Sequence, residues 1–192
     1  MKMLKVIGIT TAIVAGTAVF VFALGKWGGF VIKNPFPQTP DISLSLSESG
    51  DKLVVSGESG NRGKCAPPAK PGCVGVSKWR RASIKFWLVN MNGWSFEQIQ
   101  LVAEPLPKLN FGTQTPALVP EMIDDFYVRI NGNKIHPDKD GIIKLAELEE
   151  GKALKLVNRN NFTQTYSYQI QACIDPTNCV KMDPRIKNEG RQ

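Results

Sequence analysis

The residues with the most metal-like spacing lie in the segment 136–147, HPDKDGIIKLAE. Asp138, Asp140 and Glu147 occupy its third, fifth and twelfth positions and glycine the sixth, as in an EF-hand calcium loop. The first position holds His136 instead of a carboxylate, and the preceding residues alternate like a strand rather than a helix. A tight turn between strands explains Asp-Lys-Asp-Gly more simply. We predict no metal and no other cofactor, and keep the three carboxylates as candidate ligands.

A second candidate site lies on one long predicted strand, from about Trp79 to Val89. Side chains alternate across a strand, so Trp79, Arg81, Lys85 and Trp87 share one face. Two indoles interleaved with two cations could bind a sugar ring or an anionic group. The alternative is that the cationic stems cover the indoles and bind nothing.

Catalytic chemistry finds little support in the sequence. The chain has one histidine, followed directly by proline, and no G-x-S-x-G elbow, P-loop, dinucleotide fingerprint or H-E-x-x-H helix. The adjacent carboxylates Asp124 and Asp125 would point to opposite faces of a strand. We therefore predict no catalytic residues and no enzymatic activity.

The four cysteines fall into two close pairs, Cys65 with Cys73 and Cys173 with Cys179. Neither spacing is that of a structural zinc site. Four cysteines allow three disulfide connectivities, and local pairing is the simplest of them. Two structural disulfides would indicate an oxidising compartment.

The N-terminus explains how the chain would reach such a compartment. Residues 6–25 are uncharged and flanked by Lys5 and Lys26, and as a helix they would extend roughly 30 Å, the thickness of a bilayer core. We predict that residues 1–25 form a retained signal-anchor or a cleaved signal peptide. Residues 26–40, rich in proline and glycine, form the predicted linker, and 41–192 the predicted domain.

From Asp41 onward the apolar residues recur with a period of two. About seven to nine short strands are separated by turn residues, among them Asn131-Gly132, which indicates a type I′ hairpin. Helical periodicity is nearly absent, with a brief helix predicted around residues 145–150. We predict an all-β fold, an immunoglobulin-like antiparallel β-sandwich preceded by one N-terminal transmembrane helix.

The net charge of +7 bears on the choice of partner. A basic surplus favours anionic surfaces, such as lipid headgroups, acidic glycans or nucleic acid, without naming one of them. We expect no nucleic acid partner.

The C-terminal hundred residues resemble the DP-EP family of small bacterial β-sandwich proteins of uncharacterised function. The similarity rests on YSYQIQA at 166–172, on VKMDPRIKN at 180–188, and on Glu104-Pro105. The resemblance implies a fold and no activity.

These observations together predict a non-catalytic interaction or structural module of a bacterial envelope. We expect a single-pass inner-membrane protein with its domain in the periplasm, or a secreted one if the leader is cleaved. Its expected contacts are the membrane, through the N-terminal helix, and a protein partner in the envelope. The alternative is a carbohydrate- or anionic-lipid-binding domain that uses the Trp79–Trp87 face.

Overall fold

The computed structural model describes residues 36–61, 65, 71–78, 80–104, 118, 120–146 and 148–190. They all belong to one compact unit, residues 35–192. The predicted membrane segment, Trp79 and Glu147 lie outside the described residues. Within the described part, no helix has both the length and the apolar character needed to cross a bilayer.

The described chain is all-β apart from one helical turn. The elements are β1 (Thr39–Leu46), β2 (Leu53–Asn61), β3 (Val74–Val76), β4 (Ala82–Leu88), β5 (Ser95–Ala103), α1 (Pro120–Ile123), β6 (Phe126–Ile130), β7 (Asn133–Ile135), β8 (Ile142–Lys144), β9 (Leu154–Asn158), β10 (Thr165–Asp175), β11 (Asn178–Met182) and β12 (Arg185–Asn188).

The strands form two sheets. The first has the order β2-β1-β4-β9-β6-β7, and the second β3-β12-β10-β5-β8. In the second sheet β11 also pairs with β10, so that β11 and β12 follow each other along one edge of β10. Strands that are neighbours in a sheet are therefore often far apart in sequence.

Aromatic contacts between the sheets mark the core of a β-sandwich. Phe86 of the first sheet lies 5.6 Å, ring centroid to ring centroid, from Tyr168 of the second. Phe126 meets Tyr166 edge-on at 4.7 Å. All four side chains are fully buried, and offset or edge-to-face pairs of this kind stabilise beyond their buried area.

Alternation correctly predicts which side chains enter this core. β10 buries every second residue from Tyr166 to Ala172, while the residues between them stay partly exposed. In β4 the even-numbered residues from Ala82 to Phe86 have no exposed surface. Period-two burial is expected for a sheet with one face in the core and the other towards solvent.

The predicted purely antiparallel pairing is wrong at two places. β1 pairs with β4 in parallel, and β12 pairs with β3 in parallel. Both sheets are therefore mixed. The prediction failed because a sequence period of two identifies a strand but not the direction of its neighbour. The helix predicted around residues 145–150 is also wrong for the described residues there, which form turns, and α1 lies elsewhere.

The hairpin between β6 and β7 has the predicted turn. Ile130 pairs with Asn133, and the two residues between them, Asn131 and Gly132, have φ values of 49° and 84°. Positive φ at both central residues defines a type I′ turn, whose twist matches that of the flanking strands.

The domain begins earlier than predicted. Gln38 has 1% of its surface exposed, and its backbone N–H donates to the Arg81 carbonyl at 2.8 Å. Its side-chain Oε1 accepts a hydrogen bond from the Ser77 N–H at 2.7 Å. The end of the predicted linker 26–40 thus belongs to the sandwich, held by polar contacts that apolar periodicity does not reveal.

Candidate ligand-binding face

A row of four cations crosses the outer face of the first sheet. Lys85 on β4 pairs in register with Lys155 on β9, and Arg129 on β6 with Lys134 on β7. The β6–β9 ladder ends one residue short of Arg129, so Arg129 lies beside Lys155. With neighbouring strands about 4.8 Å apart, these four residues, the cation row, extend over about 14 Å.

A second pair of cations lies parallel to this row. Ala82 pairs with Asn158, which places Arg81 and Arg159 at adjacent positions just beyond the ladder. Arg81 is exposed and Arg159 is half-buried. We call the cation row together with Arg81 and Arg159 the basic face.

A shallow groove separates the two sets of cations. It has a volume of about 320 Å³. Ser83 and Val157, which pair across β4 and β9, are small side chains between longer ones, and they lower this part of the surface. The side chains that line the groove include Arg81, Ser83, Tyr127, Arg129, Lys155 and Val157.

Tyr127 holds cations on both sides of the groove. Its ring centroid lies 5.3 Å from Lys134 Nζ, 5.7 Å from Arg159 Cζ and 5.8 Å from Arg129 Cζ. Only 7% of Tyr127 is exposed, and cations within about 6 Å of an aromatic face are attracted by its quadrupole. The ring therefore attracts three positive groups, one from beyond the ladder and two from the cation row.

Asp41 links two of the residues predicted from sequence. The Trp87 indole Nε1–H donates to Asp41 Oδ1 at 3.2 Å, and Lys85 Nζ lies 3.9 Å from the same oxygen. Asp41 reaches them because β1 runs parallel to β4, with Asp41 in register with Lys85. Trp87 remains 41% exposed, so one ring of the predicted face is available to a ligand.

The basic face has little internal charge compensation. Asp41 is, among the described residues, the one carboxylate within ion-pair distance of its cations. Like charges directly opposite each other destabilise a sheet. Lys85 and Lys155 are in this position, and Arg129 adjoins them, so the arrangement costs folding stability when no anion is bound.

The structure places two of the four residues predicted for a ligand face on the basic face, and ligand binding by them stays a prediction. Arg81 and Lys85 lie on the basic face, and Trp87 lies at its border, whereas the placement of Trp79 stays a prediction. Sequence reasoning missed the cations of the neighbouring strands and the carboxylate of β1. Alternation in FYVRI and LKLVN does place these cations outward, but nothing in the sequence makes β6 and β9 neighbours of β4. The missed residues are Asp41, Tyr127, Arg129, Lys134, Lys155 and Arg159.

The metal-like segment forms a turn in the structure. Asp138 Oδ1 accepts hydrogen bonds from the backbone N–H groups of Asp140 and Ile142, both at 2.9 Å. The Gly141 N–H donates to the Asp138 carbonyl, also at 2.9 Å, and closes the turn. Within the ranges described, no three His, Cys, Asp or Glu side chains are close enough to hold a metal ion. The third candidate, Glu147, lies outside those ranges.

Both predicted disulfides are present. Cys65 bonds to Cys73, and Cys173 bonds to Cys179. The second bond joins two residues that are in register on β10 and β11. Local pairing was one of three possible connectivities, and the hairpin shows why it holds for this pair.

No protein-family model matches the sequence, and comparison with curated proteins found no significant relative. The resemblance to the DP-EP family therefore stays a prediction.

Proposed function

We propose that this protein is a non-catalytic binding module of a bacterial cell envelope that binds an anionic glycan on its basic face. The observation that carries the proposal is the register of the cation row, which aligns four positive charges across four neighbouring strands. A linear polyanion lying across the strands would neutralise all of them at once. Such contacts also gain free energy by releasing counterions from the polyanion.

The compartment in this proposal is extracytoplasmic. Two disulfides support an oxidising environment, and residues 1–25 would deliver or tether the domain there. The proposal includes a single-pass anchor in the inner membrane, with secretion as the alternative. It also includes the immunoglobulin-like relationship, which the two-sheet architecture supports.

A glycan suits this surface better than a bilayer does. Membrane-binding surfaces insert apolar side chains, whereas the basic face has a depression whose aromatic residue, Tyr127, is buried. The half-exposed Trp87 ring adjoins Lys85 through Asp41, and aromatic faces beside charged groups suit sugar rings. Of the two ligands in the alternative predicted from sequence, these features favour the carbohydrate over the anionic lipid, and we propose it in place of the protein partner.

Binding of the full-length chain, in a nonionic detergent, to immobilised polygalacturonate tests the proposal. Dextran serves as the uncharged polysaccharide. We expect binding to polygalacturonate alone, with an affinity that falls steeply between 50 mM and 300 mM salt, because condensed counterions are released. Phosphatidylglycerol vesicles form a second arm, in which we expect weaker binding than to the polysaccharide.

Two charge reversals provide the matched comparison. Lys155→Glu changes the centre of the cation row and should weaken binding about tenfold or more, since it replaces an attraction by a repulsion. Lys187→Glu makes the same change on β12 of the second sheet, where Lys187 is exposed, and should alter affinity less than about threefold. Equal losses in the two variants, or preferential binding to vesicles, would overturn the proposal.

A further inference from the structure

The groove within the basic face contains a polar group that the fold does not use. Ser83 is 9% exposed and lines the groove, yet its Oγ has no hydrogen-bond partner among the described residues. A buried hydroxyl without a partner destabilises the folded state, because it gives up its hydrogen bonds to water and gains none in return. Because Ser83 lines the groove, a ligand bound there could supply the missing partner.

The donors around Ser83 are charged and close together. Arg81 is two residues away on the same face of the strand, and Lys155 and Arg129 line the same groove. Two guanidinium groups, one ammonium group and one hydroxyl group provide three kinds of hydrogen-bond donor around a groove of about 320 Å³. This is more than a carboxylate, with two oxygens and one negative charge, can satisfy.

A phosphate monoester matches these donors in charge and in number of acceptors. It carries about −1.5 to −2 charges at pH 7 and three terminal oxygens. Guanidinium groups bind such oxygens in bidentate fashion, while an ammonium acts as a point charge. A phosphodiester has one negative charge and fewer free oxygens, so it would leave part of the groove unmatched.

We propose that this groove is a seat for a phosphate monoester, with the Ser83 hydroxyl donating to one phosphate oxygen and Arg81, Arg129 and Lys155 binding the others. The inference rests on the proposed function, since it assigns the groove to the anionic group of the bound glycan. The same chemistry would suit a sugar phosphate or the headgroup of phosphatidic acid. Comparing a free sugar phosphate with phosphatidic acid vesicles separates these sources.

Titration of the ¹⁵N-labelled full-length chain with inorganic phosphate, sulfate and acetate at constant ionic strength tests the seat. We expect phosphate to give saturable amide shifts at residues around Ser83, with an affinity about tenfold above that for acetate, because two further charge-assisted hydrogen bonds form. Glucose 1-phosphate and phosphatidic acid vesicles are then compared. A free sugar phosphate that binds as well as the vesicle identifies a soluble or glycan-borne phosphate as the ligand.

Two conservative substitutions separate the seat from general charge attraction. Ser83→Ala and Arg81→Lys should each weaken phosphate binding about fivefold to tenfold, since each removes hydrogen bonds and neither changes the net charge. Ser45→Ala, on β1 of the same sheet, is the matched control and should leave the affinity unchanged. Polygalacturonate binding should also be unchanged in Ser45→Ala, since Ser45 lies outside the basic face.

The possible failures are distinct. Unchanged phosphate affinity in Ser83→Ala and Arg81→Lys, or equal affinities for phosphate and acetate, would overturn the seat while leaving the polysaccharide result intact. If the wild-type chain does not bind polygalacturonate, the proposed function itself is overturned.

Discussion

Two hydroxyl groups, those of Tyr166 and Ser83, lack a hydrogen-bond partner among the described residues and differ in their surroundings. Tyr166 has no exposed surface, and its hydroxyl has no hydrogen-bond partner among the described residues. Burial, followed by the negative charge of Asp125, raises the pKa of Tyr166 above its ordinary value of 10.0. The hydroxyl of Ser83 is equally without a partner but lines a groove between cations. The first hydroxyl affects stability at high pH, and the second is assigned to a ligand.

The Tyr166→Phe variant tests the first of these assignments. Above about pH 10 the unfolded chain loses the phenolic proton while the native chain keeps it, so the native state binds more protons and its stability falls as pH rises. The free energy of unfolding should therefore decline less steeply in Tyr166→Phe, by up to about 1.4 kcal/mol per pH unit. Urea unfolding of both proteins from pH 8 to pH 11 measures the difference. Parallel pH profiles would show that Tyr166 ionises as easily in the native chain as in the unfolded one.

Trp87 offers a second test at this scale. Its ring is 41% exposed, and its indole N–H donates to Asp41. Trp87→Ala should weaken polygalacturonate binding about threefold to tenfold, since aromatic stacking contributes roughly 0.5–1.5 kcal/mol, and should change stability by less than about 1 kcal/mol. Trp87→Phe retains a ring and should recover much of the affinity. Equal affinity in the alanine variant and the wild type would remove Trp87 from the binding face.

At the scale of elements, the strand ends and turns determine how the two sheets are assembled. Gly60 on β2 has a φ of 87°, and a Cβ added there would overlap the Thr39 carbonyl oxygen of β1. Gly132 in the β6–β7 turn has a φ of 84°, but no atom lies within 4 Å of an added Cβ. The two positions share a positive φ, which disfavours any residue with a side chain, and differ in the close approach of a neighbouring strand.

The alanine substitutions at these positions separate the two effects. Gly132→Ala should reduce the free energy of unfolding by about 1–2 kcal/mol, because a side chain is disfavoured at positive φ. Gly60→Ala should cost a further 1–3 kcal/mol or so, because β1 must move away from β2. Thermal and urea unfolding of both variants measures this. Equal losses would mean that Thr39 of β1 is not held as close to Gly60 as the structure shows.

The sequence predicts local features of the strands and turns but not which distant strands pair with each other. The alternation in β10 and β4, the type I′ turn at Asn131-Gly132 and the local disulfides are properties of short segments, and they follow from residue type and spacing. The parallel pairing of β1 with β4 joins residues more than forty positions apart, so no local pattern records it. For that reason Lys85 was placed on the candidate site from sequence, while Asp41 and Lys155, its neighbours on either side, were not.

For the whole molecule, the main feature is a positive charge gathered on one outer face. The chain has a net charge of +7, and the basic face places six cations on strands β4, β6, β7 and β9 or directly beyond their ends. Neither the total charge nor the composition indicates this concentration. It arises only when the sheet order brings β9 and β6 beside β4.

This concentration predicts opposite effects on folding and on binding. Lys155→Glu should raise the free energy of unfolding by about 0.5–1 kcal/mol at low salt, because it replaces a cation opposite Lys85 by an anion. The gain should shrink in 1 M NaCl, where the Debye length is about 3 Å. Lys155→Gln should show a smaller gain. Urea unfolding at 20 mM and 1 M NaCl checks the sign, and a loss of stability at low salt would mean that the cations of this face do not repel one another.

The most direct test of the basic face is to map the amide shifts of the ¹⁵N-labelled full-length chain as polygalacturonate is added. We predict that the largest saturable shifts lie on β4, β6 and β9 around Ser83, Lys155 and Arg129, and that added salt reverses them. Shifts confined to the second sheet, or none at concentrations at which the polymer binds other basic proteins, would contradict the account.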